Sequence, residues 1–509
     1  MIPPGRCDSA VHFTYSRQLF PCRLGKSSSL LGLKREPARL LAQVQVSFPL
    51  VMQMRLISAT LISFSLCLSG VPQAQIETKT PEGLWLSDGY GLFVRFDDTM
   101  LHTYELTSIS CIPSRTARRA ENEGRESSVL FMSGHQTTKI IPTDDPNVLR
   151  MHTDGTASDI VLHRTSKGPD TCKSAPPSTP PENYSIFWQT FAEQYPFFAL
   201  HKTDWHAFDK KFRPGVTADT KPTELFQILR QMIEPLQDSH TGLEAADLNS
   251  EFDGWRNDPN HLEENDWKRA GSIIESKYVH GGLHAYCKSH VHFGIVQNTI
   301  GYLRVTTFYD YADVEGYAAE VQCLQNSLDI IFSSTEKMSS LVIDVRLNHG
   351  GDDPLGIEIA SRLTENRYLA YAKIARNNTE LNAPLHFTEQ QASWVVPSAR
   401  PGFHGRVVLL IGPDTVSAGE TFAMALLGRE PRVTLIGLNT QGVFSDILSR
   451  TLPNGWRFHL PNEIYLTAEG RAFDGTGVSP DIRVPFFSDA DLQNGRDAAL
   501  EEAIKRLKN

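Results

Sequence analysis

The chain has 509 residues, of which 40% are hydrophobic, and it carries a formal net charge of −10. This length and composition allow a large buried core and indicate more than one domain. The acidic balance argues against a nucleic-acid-binding protein, because such proteins need clustered basic side chains to hold the phosphates.

Residues 1–74 are predicted to be a leader that contains a secretory signal peptide. Met54 and Arg55 precede a short apolar stretch that ends in small residues near Ala74. A basic start, an apolar core and small residues at the cleavage site are the parts of such a signal. The stretch is shorter than the run of about 20 apolar residues that a transmembrane helix needs. We therefore expect an exported protein, periplasmic or secreted, without a membrane span after signal removal. Translation from Met52 or Met54 and a long basic leader both remain open.

The cysteines that follow the leader permit disulfides. Four of the seven cysteines follow the leader, an even number that permits two disulfides in an oxidising compartment. Three pairings are possible for four cysteines. We expect the pairs Cys111–Cys172 and Cys287–Cys323, because the members of each pair lie within one local region.

Residues 76–165 are predicted to form a small all-β domain. Short strand-like runs, such as LFVRF and VLRMHT, are separated by Gly, Asp or Asn. This spacing is typical of an antiparallel barrel or sandwich. No residue in this region indicates chemistry, so we expect a structural or substrate-recruiting role. Residues 166–183, rich in Pro and Ser, are predicted to be a linker.

The periodicity becomes helical in residues 184–240. Apolar side chains repeat at helical spacing in IFWQTFAEQYPFF and in TELFQILRQMIEPL. Thr220 is expected to cap the second helix, with Pro222 and Glu224 in its first turn. Residues 241–298 are expected to be connecting loops with one helix. This interval is too short for a PDZ domain and lacks its strand pattern.

Residues 299–509 alternate strands and helices, which indicates an α/β core. The predicted strands are GYLRVTTF, LVIDVRL, VVLLIG and VTLIG. The predicted helices cover residues 313–333, 353–364, 418–427 and 488–507.

Ser417 stands where a strand turns into a helix, within IGPDTVSAGETFAMALLG. The amides of a helix N-terminus point toward that position, so the Ala418 amide is a natural donor to an oxyanion. A serine hydroxyl becomes a nucleophile only when a base removes its proton. Taken alone, helix capping is the commoner role for such a serine. Val416 also departs from the Gly-x-Ser-x-Gly elbow of α/β-hydrolases.

A second motif, LVIDVRLNHGGDD, runs from a buried strand into two adjacent glycines. Glycine allows close backbone approach and conformations that other residues avoid. Gly350 or Gly351 can therefore supply a second oxyanion amide. An ordinary tight turn is the alternative interpretation.

The ordered set LVIDVRLNHGG, TVSAGETFAMAL, GLNTQGVFS, LPNG and FDGTGVSPDI resembles the tail-specific (C-terminal-processing) and tricorn-like peptidases, serine peptidase family 41. The helical segment that ends in QDSHTG resembles the unit that precedes the core in this family, and the resemblance covers residues 184–486. It implies a crotonase-like (ClpP/crotonase) α/β core, Ser417 as nucleophile, a peptide or protein substrate, and no metal or other cofactor. The alternative is a non-catalytic carrier of apolar small ligands, since interphotoreceptor retinoid-binding protein has a similar fold.

The residues after the serine distinguish between the branches of this family. The tail-specific branch uses a lysine base in a Thr-x-Gly-Lys-Gly motif, but Val443 stands at that place here. The tricorn-like pattern implies His240 as general base, Ser239 beside it, and Asp474 as the acidic group that orients the imidazolium, directly or through the Ser239 hydroxyl. His349, next to the glycine turn, is the rival base.

Two alternatives to these assignments remain at this level. Asp474 is one methylene shorter than the glutamate expected in this family, so Glu420 and Glu469 are other candidates, although Glu420 more naturally supports the loop. The run HGGLHAYCKSHVH has the spacing of a zinc site, with ligands from His280, His284, Cys287, His290 and His292. The expected disulfide of Cys287 and the lack of an acidic residue in the run argue for no metal. Nothing in the sequence indicates the oligomeric state.

Overall fold

A computed structural model of the chain describes residues 81–120, 128–256, 258–333, 338–377, 385–485 and 487–508. The leader and signal peptide predicted for residues 1–74 lie outside the described residues. Among the described helices, none combines the length and the apolar composition that a membrane crossing would require.

The first described region is a closed antiparallel barrel of eight strands, in which each strand pairs with the next. The strands are β1 (Gly83–Ser87), β2 (Leu92–Phe96), β3 (Met100–Leu106), β4 (Cys111–Arg119), β5 (Val129–Ser133), β6 (Gln136–Pro142), β7 (Val148–Thr153) and β8 (Ile160–Thr165). Alternate side chains point inward, among them the fully buried Trp85 and Phe131. The sequence was compatible with either a barrel or a sandwich, and the pairing of β1 with β8 shows that the domain is a barrel. Closure removes the exposed sheet edges.

One of the two predicted disulfides is present. Cys111 and Cys172 are bonded, which ties β4 to the segment after the barrel. The predicted bond between Cys287 and Cys323 is wrong, because both side chains are free thiols. Burial, together with a hydrogen bond to Cys323, raises the pKa of Cys287 to about 12. A thiol with so little thiolate is a poor partner for disulfide formation.

Three helices form the segment after the barrel: α1 (Pro180–Gln194), α2 (Trp205–Phe212) and α3 (Pro222–Ile233). α1 begins inside the predicted linker, because prolines are well tolerated in a first helical turn that needs no amide partners. Thr220 does not cap α3. Lys221 is the N-cap, and its amide lies 3.2 Å from the carboxylate of Glu224. The Thr220 hydroxyl instead accepts the amide of Thr217 at 2.8 Å.

The interval after α3 contains more regular structure than the sequence indicates. Its elements are β9 (Gly242–Ala245), β10 (Ser250–Asp253), α4 (Glu264–Ile273), β11 (Val279–Tyr286) and β12 (Val291–Val296). β11 and β12 form a hairpin whose register shifts after His280. Glycines and histidines interrupt the strand pattern there, which hides both strands from a reading of periodicity.

A seven-stranded mixed sheet forms the α/β core, in the order β11-β12-β13-β14-β17-β18-β22. Its further strands are β13 (Ile300–Val305), β14 (Ser340–Asp344), β17 (Arg406–Ile411), β18 (Thr434–Gly437) and β22 (Ile482–Arg483). The helices that follow α4 are α5 (Tyr317–Phe332), α6 (Asp353–Ser361), α7 (Ala418–Ala425), α8 (Asp489–Gln493) and α9 (Ala498–Lys508). The strands from β13 onward are parallel. The central strands are continuously apolar because helices cover both faces of the sheet.

Two smaller sheets connect distant parts of the chain. Their additional strands are β15 (Tyr368–Ala375), β16 (Gln391–Val395), β19 (Ile447–Thr451), β20 (Arg457–Pro461) and β21 (Glu463–Leu466). One sheet has the order β10-β9-β20-β19, the other β16-β15-β21. The pairing of β9 with β20 places Gly242 opposite His459, which brings the end of the helical segment to the tail of the core.

Candidate active site

Ser417 lies between β17 and α7 in a backbone conformation that non-glycine residues rarely adopt. Its φ and ψ are 54° and −122°. Such a conformation costs energy and persists only where the surroundings hold it. The Ser417 amide donates to the carbonyl of Val443 at 3.1 Å, and it lies 3.3 Å from a carboxylate oxygen of Glu420. The half-buried serine is therefore presented at the turn by contacts from a distant loop.

The Gly350–Gly351 turn lies directly against Ser417. The two glycines have φ values of 89° and 132°, and a Cβ on Gly350 would lie 2.7 Å from the Ser417 Cβ. The Gly350 amide donates to the side-chain oxygen of Asn348 at 2.9 Å. Among the hydrogen bonds of the described residues, none uses the amide of Gly351 or Ala418. Of the three amides that the sequence proposes as oxyanion donors, these two remain available.

A loop of residues 440–445, here called the bracing loop, connects the parts of the site. The Glu420 carboxylate accepts the Thr440 hydroxyl at 2.5 Å, the Gly442 amide at 2.6 Å and the Val443 amide at 2.8 Å. Burial raises the pKa of Glu420 to about 7, although these donors oppose the shift. Glu420 therefore fixes the bracing loop to the helix that begins after Ser417.

His240 is buried beside the bracing loop, with 4% of its surface exposed. Its amide donates to Asp238 at 2.9 Å, and its ring has a hydrogen bond with the backbone of Ser445. Among the described residues, its Nδ1 has no hydrogen-bond partner. Burial lowers the pKa of His240 to about 4, with the neighbouring His459 as the next cause. The ring is therefore neutral near pH 7 and able to accept a proton.

Ser239 and Asp474 contact the same loop from two sides. The Ser239 hydroxyl donates to the side-chain oxygen of Gln441 at 2.7 Å, so it does not bridge to Asp474 in this state. The Asp474 carboxylate has a hydrogen bond with the backbone of Phe444, and its Oδ2 has no partner among the described residues. Burial, and then the charges of Glu420 and Asp238, raise the pKa of Asp474 well above its usual range.

The structure thus brings the expected residues together in two groups. Direct neighbours at the turn are Ser417, Ala418, Gly350 and Gly351. The bracing loop collects His240, Ser239 and Asp474. No hydrogen bond found among the described residues joins His240 to Ser417 or to Asp474. The alternative acid Glu469 is exposed and lies 2.9 Å from the Thr467 hydroxyl, on a separate turn.

A row of rings beside the glycine turn was missed in the sequence. His349 is exposed, and its ring centroid lies 4.7 Å from that of Trp267. The ring centroids of His261 and Trp267 are 6.2 Å apart, and the His261 ring contacts the buried Asp414 carboxylate. Asp414 also accepts the amide of Leu262 at 3.2 Å. Asp414 stands three residues before Ser417, so the connecting region is fixed to the nucleophile turn. An acid in a Gly-Pro-Asp turn next to a candidate nucleophile was the available signal.

The histidines of the candidate zinc run lie on the β11–β12 hairpin and its turn. His292 is opposite Ala285 in the strand register, and His290 lies in the turn. Within the described parts of the chain, no three His, Cys, Asp or Glu side chains are grouped as metal ligands would be.

Comparisons with known proteins match the helical segment and the α/β core separately. Residues 299–484 match the model of peptidase family S41, and residues 176–234 match the Tricorn protease C1 domain. A curated relative, the carboxy-terminal-processing protease of Bartonella bacilliformis, is 25% identical over 191 residues. That match covers 37% of this chain and 39% of the relative, so the chain spans about two fifths of its length.

Solved structures agree over a larger part of the chain. A candidate peptidase from Parabacteroides merdae is 26% identical with a TM-score of 0.54, covering 65% of this chain and 97% of that one. Mature CPAF bound to lactacystin is 11% identical with a TM-score of 0.48, covering 65% and 97%. The matches of residues 299–484 and of residues 176–234 confirm the resemblance to serine peptidase family 41 over these parts of the chain.

Proposed function

We propose that the protein is an exported serine-type peptidase of the tricorn-like branch, in which a crotonase-like core hydrolyses peptide bonds through Ser417. The observation that carries this proposal is the conformation of Ser417, held with positive φ beside the unused amides of Gly351 and Ala418. Strained backbone at a turn of this kind is typical of functional sites. The disulfide between Cys111 and Cys172 supports export, because such bonds persist in oxidising compartments.

The proposed reaction begins when Ser417 Oγ bonds to the peptide carbonyl carbon and His240 takes the hydroxyl proton. The carbonyl oxygen becomes an oxyanion, to which the amides of Gly351 and Ala418 donate. Collapse of this intermediate breaks the C–N bond, and His240 returns its proton to the departing amine. A water molecule then attacks the acyl carbon while His240 takes a proton from it. The bond between this carbon and Ser417 Oγ breaks, His240 returns the proton to Oγ, and the carboxylic acid product leaves.

Three features support His240 as the base. Its pKa of about 4 keeps the ring neutral near pH 7, and its Nδ1 is unoccupied. Val443, whose carbonyl accepts the Ser417 amide, is only two residues from Ser445, the backbone contact of His240. Catalytic hydrogen bonds are often long without substrate and shorten in the Michaelis complex.

Asp474 and Ser239 have supporting roles in this proposal. Asp474, a buried carboxyl whose pKa is raised and whose Oδ2 has no partner among the described residues, becomes a good counter-charge once His240 carries a proton, because a nearby positive charge lowers a carboxyl pKa. Ser239 anchors the segment that carries His240, through its hydrogen bond to Gln441.

The alternative is a carrier of apolar small ligands. A cleft lies against the bracing loop. Polar and apolar side chains both line it, namely those of His201, Asp238, Arg256, Asp474, Phe197, Leu200, Val443 and Phe444. This mixed lining suits either function, so the reactivity of Ser417 is what separates the two.

A fluorophosphonate probe tests the proposal, since it reacts with activated serines. Wild-type protein should be labelled at Ser417 and should hydrolyse an unstructured protein substrate. Ser417→Ala should abolish both. An unlabelled wild type, or equal labelling of Ser417→Ala, would contradict the peptidase function and favour the carrier.

A further inference from the structure

Tyr90 reaches from the β-barrel into the buried interior of the peptidase core. Tyr90 lies in the turn between β1 and β2, with φ of 60° and 8% of its surface exposed. Gly89 and Gly91 flank it with φ values of 70° and 55°. A Cβ on Gly89 would lie 2.9 Å from Thr388 Cγ2, and one on Gly91 would lie 2.6 Å from the Leu106 carbonyl. The glycines therefore allow the turn to enter a narrow space and to direct Tyr90 inward.

Tyr90 joins a buried cluster of charges in the core. Its hydroxyl donates to Glu463 Oε1 at 2.7 Å, and Glu463 Oε2 accepts the Asp446 amide at 3.0 Å. Lys373 Nζ lies 2.7 Å from Asp446 Oδ2 and 3.1 Å from Glu463 Oε1. One ammonium group serves two carboxylates, so the donors that complete the hydrogen bonding of Glu463 are important.

This cluster continues directly into the bracing loop. Asp446 is the next residue after the loop, and the Ser445 hydroxyl oxygen accepts the amides of Asn462 and Glu463 at 3.1 Å each. The backbone of Ser445 is in turn the hydrogen-bond partner of the His240 ring. A continuous path of bonds thus leads from the barrel tyrosine to the proposed base.

A second arm of the cluster reaches the nucleophile helix. The Tyr465 hydroxyl lies 2.7 Å from Asp353 Oδ2 and 3.2 Å from Asp446 Oδ1. Thr421, on α7, donates to Asp353 Oδ1 at 2.7 Å. The charges around Tyr90 therefore contact elements on both sides of the site.

From these contacts, and resting on the proposed peptidase function, we infer that Tyr90 is a positioning residue. The barrel uses it to hold residues 440–446, and through them His240, in the reactive arrangement. The barrel then contributes to turnover itself, beyond any recruitment of substrate.

Tyr90→Phe tests this role, because it removes the hydroxyl and keeps the ring. We expect kcat to fall about tenfold while KM stays within about twofold, since loss of a hydrogen bond to a buried carboxylate has this size. The rate of fluorophosphonate labelling at Ser417 should fall in parallel. Amide hydrogen exchange in residues 440–446 should become faster, whereas exchange in residues 340–344 should not change.

Trp85→Phe is the control for general weakening of the barrel. Trp85 is fully buried inside the barrel and lies under the guanidinium of Arg164. This variant should lower the thermal midpoint and leave kcat unchanged. An unaltered kcat and unaltered exchange in Tyr90→Phe would overturn the inference, and so would an equal loss of kcat in both variants. Exchange needs no turnover, so it decides the coupling even if wild-type protein proves unreactive and the peptidase function fails.

Discussion

The turn that carries Ser417, the proposed nucleophile, and the segment that carries His240, the proposed base, are held in different ways. Ser417 and the Gly350–Gly351 turn follow β17 and β14, two adjacent parallel strands with Asp344 paired to Leu410. The loops after neighbouring parallel strands meet at the same sheet edge. His240, in contrast, comes from the helical segment and is held by the β9–β20 pairing and by the bracing loop.

The two parts of the site differ in how many distant segments of the chain hold them in place. The nucleophile turn depends on the core sheet, which is continuous and deeply buried. The base depends on bonds between distant segments, such as the one from Ser239 to Gln441, 202 residues away. We therefore expect the side of His240 to respond more strongly to changes far from the site than the side of Ser417, whose amide has one contact with the distant bracing loop at Val443.

The largest effect that tests this comparison should come from His240→Ala. Loss of a general base that acts together with the nucleophile lowers kcat/KM by about 10³-fold or more. His349→Ala should change it less than about fivefold, because its exposed ring packs on Trp267 instead. Steady-state hydrolysis of one peptide by both variants measures this. The reverse order would show that the base lies at the glycine turn.

The same residue gives the pH dependence of the wild-type protein. Burial lowers the pKa of His240 to about 4. Only the neutral ring accepts a proton, so kcat/KM should be constant above that pH and decline as the pH falls below it. A decline that starts at pH 6 to 7, as expected for an ordinary histidine, would contradict the burial of the base.

Gly350→Ala should have the next largest effect, about 10²-fold on kcat, because its Cβ would displace Ser417 from the oxyanion donors. Gly455→Ala is a matched control, since Gly455 has φ of 88° but nothing within 4 Å of the added Cβ. Both variants carry similar backbone strain, and only the first should lose activity. Equal activity of the two would show that contact with Ser417 is unimportant.

Glu420→Gln tests whether the bracing loop couples the Ser417 turn to the His240 side of the site. An amide cannot accept all the donors that the carboxylate now satisfies, so the bracing loop should loosen. We expect kcat to fall about tenfold and the free energy of unfolding to fall by about 1–3 kcal/mol. Chemical denaturation and peptide hydrolysis measure the two effects, with the exposed Glu469→Gln as control. An unchanged kcat and an unchanged free energy of unfolding would show that the bracing loop does not support the Ser417 turn.

The smallest effect concerns Asp474→Asn and is a gain of stability. The folded-state pKa of Asp474 is raised, so this group favours the folded state below its unfolded pKa of about 3.8 and loses that contribution as the pH rises. The asparagine variant should therefore have a thermal midpoint about 2 °C above wild type at pH 7 and equal to it at pH 3. Its kcat should nevertheless fall. A variant that is less stable at pH 7 would show that Asp474 is already paired.

Local motifs were sufficient for much of the core. VVLLIG predicted β17, and TVSAGETFAMAL predicted a helix directly after Ser417, as found. The family was also recognisable from the order of its motifs, and the comparisons confirm it. Elsewhere local reasoning failed. Prolines hid the start of α1, interrupted patterns hid β11 and β12, and nearness in sequence wrongly paired Cys287 with Cys323.

The sequence by itself determined the strand–turn–helix around Ser417, the glycine turn and the valine at position 443, where the tail-specific branch has a lysine, because these depend on residues that are adjacent in the chain. The roles of His240 and Asp474 stay predictions. Only the tertiary structure decided which amides are left unused, which loop braces the site, and that Tyr90 meets Glu463 across 373 residues. A hydrogen bond between such distant segments depends on how whole domains pack, and no local pattern of residues encodes it.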